Sequence, residues 1–310
     1  MAMRGHLIAA TFFILFGLAP AAADDLAYVE ANGIRFAYIE EGSGPLILLL
    51  HGYPETARTW TPVQRDLAAA GYRVVAPYMR GYWPSAAAED GDYTVPTLGA
   101  DILALIEALG EEDAVIVGHD WGAAAVYTAA TADPAKIRAL VALSIPHPLA
   151  LAGDPGVLLG APHFIYYQLP FVRWWVSRND FAHIDRIYET WSPTLDVSSV
   201  DLTDIKTSLA EGGVDGPLGY YWSFFGGDAE GAVRATPESS IAVPSLVIAG
   251  DADGAISVER FAAAAPAFTG PYRYVELADV GHFPQIEEPD AVSAAILDFL
   301  GTPPAVRQDD

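Results

Sequence analysis

Apolar and polar positions change their spacing along this chain in a regular way. Leu46–Leu50 is an unbroken apolar run, as expected of a strand covered on both faces. Shorter apolar runs at residues 73–76, 114–117, 140–143, 245–249 and 272–277 read as further strands. Between and after them, apolar residues recur at helical spacing over 63–70, 98–109, 123–132, 258–264 and 291–300. Residues 29–32 and 34–40 flank Asn32-Gly33, a hairpin signal. The pattern predicts an α/β fold with a mostly parallel, eight-stranded sheet and helices on both faces.

The alternation stops between about Pro146 and Pro237. That stretch holds Trp174, Trp175, Trp191 and Trp222 together with Tyr166, Tyr167, Tyr188, Tyr220 and Tyr221. We read residues 146–237 as an inserted helical cap. Its aromatics either form a small core or line an apolar pocket over the sheet's C-terminal edge, where open α/β sheets bind ligands. The α/β core is then 24–145 and 238–310. At the N-terminus, Arg4, the apolar residues 7–18 and Ala21-Ala22-Ala23 have the pattern of a signal peptide over 1–23. The apolar stretch falls short of the about 20 residues a membrane span needs. The expectation is an exported protein, periplasmic or secreted, without stable membrane insertion once the signal is cleaved.

Composition narrows the function. Hydrophobic residues make up 52% and charged ones 18%, which excludes disorder as the overall state. Sixteen basic against 40 acidic side chains give a net charge of −24, which repels nucleic acid and reads as a soluble, self-repelling surface. Cysteine is absent, so disulfides, thiolate nucleophiles and cysteine metal sites are ruled out.

The strongest chemical signal is Gly118-His119-Asp120-Trp121-Gly122 between an apolar strand and an alanine-rich helix. Small residues flanking the central position permit the sharp strand-to-helix turn of a nucleophile elbow. The exposed side chain is the carboxylate of Asp120 where esterases carry serine. An aspartate there could also serve only as a helix cap. His51-Gly52-Tyr53-Pro54-Glu55 follows the central apolar strand. The backbone N–H groups of Tyr53 and Trp121 are candidates for an oxyanion hole. His51 and His119 read as structural histidines bonded to backbone. Later, Gly250-Asp251-Ala252-Asp253 ends a strand, and Gly281-His282-Phe283-Pro284 follows the next. Nucleophile, acid, then histidine is the chain order of the α/β-hydrolase fold. Asp251 and Asp253 would also suit a plain turn, and calcium-loop spacing is lacking.

These motifs together resemble the α/β-hydrolases with an aspartate nucleophile, most closely the epoxide hydrolases. The resemblance runs from about Leu26 to Leu300. It implies Asp120 as nucleophile, His282 as base, Asp253 rather than Asp251 as its acid partner, and Tyr53 and Trp121 at the oxyanion hole. Tyr167-Gln168-Leu169 and Leu218-Gly219-Tyr220-Tyr221-Trp222 resemble the cap-tyrosine motifs, which implies Tyr167 and Tyr221 as donors to the epoxide oxygen. Tyr166 and Tyr220 are the alternatives one position away. Trp121, Tyr166, Tyr220 and Phe283 are expected to line the substrate. Tyr78 and Trp83 depart from the family's loop, where aspartate and glycine are common. The implied substrate is a small apolar epoxide, with no cofactor or metal, and a homo-oligomer is left open. The main alternative is a haloalkane dehalogenase, with the Trp121 indole and Trp174 or Trp175 holding the halide. A ligand- or partner-binding protein without catalysis is the remote one.

Overall fold

The computed structural model describes residues 26–151, 161–225 and 240–301. The expected signal peptide over 1–23 and the 237/238 boundary of the cap lie outside them. Eight strands form one sheet in the order β1-β2-β4-β3-β5-β6-β7-β8. They are β1 (Ala27–Ala31), β2 (Ile34–Gly42), β3 (Leu46–Leu50), β4 (Arg73–Pro77), β5 (Ala114–His119), β6 (Ile137–Leu143), β7 (Ser245–Gly250) and β8 (Tyr272–Leu277). β1 and β2 are antiparallel, β2 pairs antiparallel with β4, and the remaining pairs are parallel. Asn32 and Gly33 both have positive φ, 43° and 74°, the backbone that a two-residue hairpin needs to match strand twist. Every residue of β3, β5 and β7 is buried, so their continuous apolar runs follow from helices covering both faces.

Those helices are α1 (Thr61–Ala69), α2 (Val95–Ala108) and α3 (Trp121–Ala132), with α8 (Glu259–Ala264), α9 (Pro284–Glu287) and α10 (Pro289–Phe299) late in the chain. α1, α2 and α10 start two or three residues before their apolar periodicity does, each with proline in the first turn. Proline lacks only an N–H that a first turn leaves unpaired, so the proline-containing start carries no periodic signal. Between β6 and β7 lie α4 (His163–Tyr166), α5 (Val172–Trp191), α6 (Thr203–Gly212) and α7 (Asp215–Phe225). α5 is broken by four non-helical residues, Arg178 to Phe181, of which Asn179, Asp180 and Phe181 have positive φ. No described helix is long and apolar enough to cross a membrane.

The chain passes from β3 outward to β4 and then returns to β5 on the other side of β3. Strand order therefore reverses at the β3/β5 crevice, the place where such sheets present loops to a ligand. His51-Gly52-Tyr53 leaves the end of β3 there, and Asp120 leaves the end of β5.

Candidate active site

Asp120 joins β5 to α3 with φ 50° and ψ −116°, a conformation that costs a non-glycine residue about 1–3 kcal/mol. Close packing holds it there. A Cβ on Gly118 would stand 2.2 Å from the Gly122 carbonyl oxygen, one on Gly122 2.2 Å from that of Leu50, and one on Gly52 2.4 Å from the Asp120 Cβ. The elbow thus needs all three glycines because β3, β5 and α3 meet with no room for a side chain. Asp120 Oδ1 accepts from the Tyr53 N–H at 2.8 Å. Oδ2 lies 3.7 Å from His282 Nε2.

His282 is fully sequestered on the loop between β8 and α9. Its Nδ1 is 2.8 Å from Asp253 Oδ2, and Asp253 is fixed because its Oδ1 accepts from the N–H groups of Ala255 and Ile256 at 2.7 and 3.0 Å. Burial alone would lower the His282 pKa, but the carboxylates of Asp253 and Asp120 outweigh it and raise the value to about 10. Asp251 instead accepts from the Asp279 N–H and ties the two loops together. Glu287 on α9 grips the histidine loop. Its Oε1 accepts from Ser192 Oγ (2.7 Å) and the Phe283 N–H (3.1 Å), and its Oε2 from the Gly281 N–H (2.8 Å) and Thr194 Oγ1 (3.1 Å). Ser192 Oγ in turn accepts from the His282 N–H at 2.8 Å.

His51 and His119 are buried and bonded to backbone. His51 Nε2 accepts from the Met79 N–H at 3.0 Å, and burial lowers its pKa to about 4. His119 Nε2 lies 2.7 Å from the His282 carbonyl oxygen, while its Nδ1 is 2.5 Å from Glu55 Oε2. Burial would raise the Glu55 pKa, but His119 pulls it down to about 2. Gln285 and Thr59 bond the other Glu55 oxygen. This Glu55–His119 pair beneath the site had no separate sequence signal, although Glu55 closes the His-Gly-x-Pro run.

The cap lays an aromatic ceiling over Asp120. Tyr167 and Tyr221 are fully buried with ring centroids 4.7 Å apart. Tyr221 lies 5.1 Å from the Trp121 ring and 5.3 Å from that of Tyr53. Burial and then the Asp120 charge push its phenol well above the ordinary value. The Tyr221 hydroxyl, the Trp121 indole N–H and His282 Nε2 are all buried without a hydrogen-bond partner. These three stand on the elbow, on the histidine loop and on the cap helix above them, where a ligand could pair with all of them. Tyr220 faces the other way and donates to the Arg80 carbonyl at 2.9 Å. Tyr166 packs edge-on against Trp175. Phe283 stacks on Tyr188 at 4.2 Å.

The halide-donor pair is not borne out at Trp174, and Tyr78 has a role of its own. Trp174 is 65% exposed, with the Arg178 guanidinium over its ring, and Trp175 packs on His183 at 4.3 Å. The halide-donor role considered for this pair has no basis in Trp174, which faces solvent. Tyr78 reaches into the cap instead of the site. Its hydroxyl donates to Asp204 of α6 at 3.0 Å, beside Thr56 and Arg58, which bond the same carboxylate. The departure at this position therefore trades a loop aspartate for a core-to-cap clamp.

Sheet order, elbow and the Asp120–His282–Asp253 geometry define an α/β-hydrolase whose elbow carries a carboxylate. A profile of the alpha/beta hydrolase fold matches residues 45–183. Epoxide hydrolase A of Mycobacterium tuberculosis is 32% identical over 88% of this chain and 96% of its own. The epoxide hydrolase of Caballeronia sordidicola is 30% identical over 90% and 94%. The crystal structure of epoxide hydrolase A from Mycobacterium thermoresistibile superposes with a TM-score of 0.77 at 29% identity, covering 91% of this chain and 99% of that one. The chain belongs to the epoxide hydrolase family of the α/β-hydrolases.

Proposed function

We infer that this enzyme hydrolyses a small apolar epoxide to a vicinal diol through an ester on Asp120. The observation that carries the reading is a carboxylate at the elbow, aimed beneath two buried tyrosines. A carboxylate attacking an sp³ carbon gives an ester that water can cleave, whereas attack on an ester carbonyl would give an anhydride.

Asp120 Oδ2 forms the bond to an epoxide carbon. The breaking C–O bond leaves its electron pair on the ring oxygen, which a cap tyrosine protonates. Ester formation removes the Asp120 charge, one of the two that hold His282 protonated. His282 then gives up its proton, which restores the tyrosine, and becomes the free base the second step requires. Asp253 keeps the ring oriented while His282 takes a proton from water, and the oxygen of that water attacks the Asp120 carboxyl carbon. The Tyr53 N–H already sits on the carboxyl oxygen that becomes the oxyanion, and the backbone N–H of Trp121, the residue after the nucleophile, is the second candidate donor. Collapse expels the alkoxide, which takes the carboxyl proton, and the resting charges return.

Single-turnover mass spectrometry of His282→Gln with epoxide and haloalkane panels tests this. An adduct on the peptide holding Asp120 that retains the epoxide oxygen is expected. An alkyl adduct with halide release would refute the epoxide assignment. We further read the chain as exported, from Arg4, the apolar residues 7–18 and Ala21-Ala22-Ala23. A mature N-terminus at or near Asp24 is the expected result, and an intact Met1 in the processed protein would refute it.

A further inference from the structure

The two cap tyrosines are not equivalent. The Tyr221 hydroxyl is buried without a partner. The Tyr167 hydroxyl has two, for it lies 3.0 Å from the Tyr53 hydroxyl and 2.7 Å from His183 Nε2. A phenol has one hydrogen and two lone pairs. Tyr167 donates its hydrogen toward Tyr53, so at the second contact the tautomer with its hydrogen on His183 Nε2 supplies the donor. The chain of donation then runs from His183 Nε2–H to Tyr167 and on to Tyr53.

His183 belongs to α5, just beyond the four-residue break, and stands edge-on to Tyr167 with ring centroids 5.6 Å apart. Around it lie Tyr166, Trp175 and Arg178, with His163 on α4, while Lys206 of α6 is paired to Asp185. Burial and then Arg178 lower its pKa to about 4, so it is a neutral imidazole with a single N–H at ordinary pH. A neutral donor fits a place where a buried partner must briefly carry charge.

We propose that His183 makes Tyr167 the tyrosine that transfers its proton to the opening epoxide, while Tyr221 hydrogen-bonds the same oxygen and keeps its own. The inference rests on the epoxide reading above. As Asp120 bonds to carbon, the cleaved C–O electron pair takes the Tyr167 proton. The phenolate left behind is met by the His183 Nε2–H donor, and a hydrogen bond to a charged oxygen is about twice as strong as a neutral one. Tyr221 has no imidazole donor, only the Trp121 indole beside it, and the Asp120 charge opposes its ionisation. The proton released by His282 after ester formation restores Tyr167. His183 touches neither substrate nor nucleophile, so it is a positioning residue.

The test needs two measurements. In the first, 3-fluorotyrosine is placed at position 167 and its fluorine resonance is titrated, which requires no substrate. His183→Phe should move the phenol titration upward by at least one pH unit, and His183→Gln, which retains an N–H donor, should restore most of the shift. Identical titrations in all three proteins would overturn the proposal whether or not epoxides are the substrate. In the second, single-turnover alkylation by styrene oxide should slow roughly ten- to a hundredfold in His183→Phe, the size of one charge-assisted hydrogen bond. Hydrolysis of the formed ester should hold its rate. Adding His183→Phe to Tyr167→Phe should cost nothing more, whereas adding it to Tyr221→Phe should multiply the loss. Undiminished alkylation, or losses at 167 and 183 that multiply, would overturn the assignment. If His183→Phe fails to fold, His183→Leu replaces it. Alkylation by the unaltered protein in the same experiment tests the epoxide reading separately.

Discussion

Replacing Glu287 by glutamine changes one oxygen for an amide nitrogen and leaves the shape intact. The carboxylate now serves four donors, two on each oxygen, and all four belong to segments framing His282. An amide has one acceptor oxygen. Whichever way it turns, two donors face an NH₂ group, and one of them is a backbone N–H next to His282. Hydrogen bonds to a charged group contribute about 1.5–3 kcal/mol each. Thr194 lies at the exposed end, where water substitutes, so the expected net loss is about 2–4 kcal/mol. For a chain of this size that lowers Tm by roughly 5–12 °C, and the urea midpoint should fall with an unchanged m-value. Because His282 acts as base only on the ester, ester hydrolysis should slow by more than alkylation does. An unaltered urea midpoint, or equal slowing of the two half-reactions, would refute the idea that Glu287 sets the position of the base.

Gly122→Ala should destabilise by about 3 kcal/mol and abolish activity, since its Cβ would meet the Leu50 carbonyl at 2.2 Å; a soluble, active variant with wild-type Tm would contradict this. Tyr78→Phe removes one hydrogen bond to Asp204, costing about 1–2 kcal/mol, and should speed hydrogen exchange in α6 without altering β5; unchanged exchange in α6 would sink the clamp. The folded pKa of His282, about 10, lies above the ordinary imidazole value of 6.5. Its contribution to stability is therefore complete below about pH 6.5 and lost as pH rises through 10, and Asp120→Asn should move that loss to lower pH. Glu55 has the opposite sign: its pKa falls from 4.5 to about 2, so its contribution holds above about pH 4.5 and disappears toward pH 2. Urea midpoints against pH measure both, and flat profiles in these windows would refute them.

The strands and the elbow were legible because local sequence dictates them. Leu46–Leu50 has nowhere to sit except inside a covered sheet, and Gly118 and Gly122 around Asp120 encode a turn that larger residues cannot make. Asp253 and His282 lie on the loops after β7 and β8, where the strand pattern offered Asp251 as well, and the resemblance to the epoxide hydrolases selected Asp253. The cap resisted the same treatment. Tyr220 and Tyr221 are adjacent on one helix, so they point about 100° apart, and only packing against Arg80 on one side and Trp121 on the other decides which faces the nucleophile. His183 had no motif at all. It reaches Tyr167 because α5 breaks at Arg178 to Phe181, and a break carried by Asn179 and Asp180 is invisible to hydrophobic periodicity. Tyr166 and Phe283 show a similar limit: aromatic residues beside a motif look alike in sequence, whereas their partners, Trp175 and Tyr188, come from elsewhere in the chain.

The positive φ of Asp120 has a consequence for the history of the chain. Glycine would sit at this position without strain, so the single change that erases the nucleophile also relaxes the fold. Selection for thermal robustness alone would drift toward an inert protein here, and the aspartate persists only as long as its chemistry is under selection. Stabilising substitutions in the cap or on the outer helices carry no such conflict, which makes them the places where robustness and turnover can rise together.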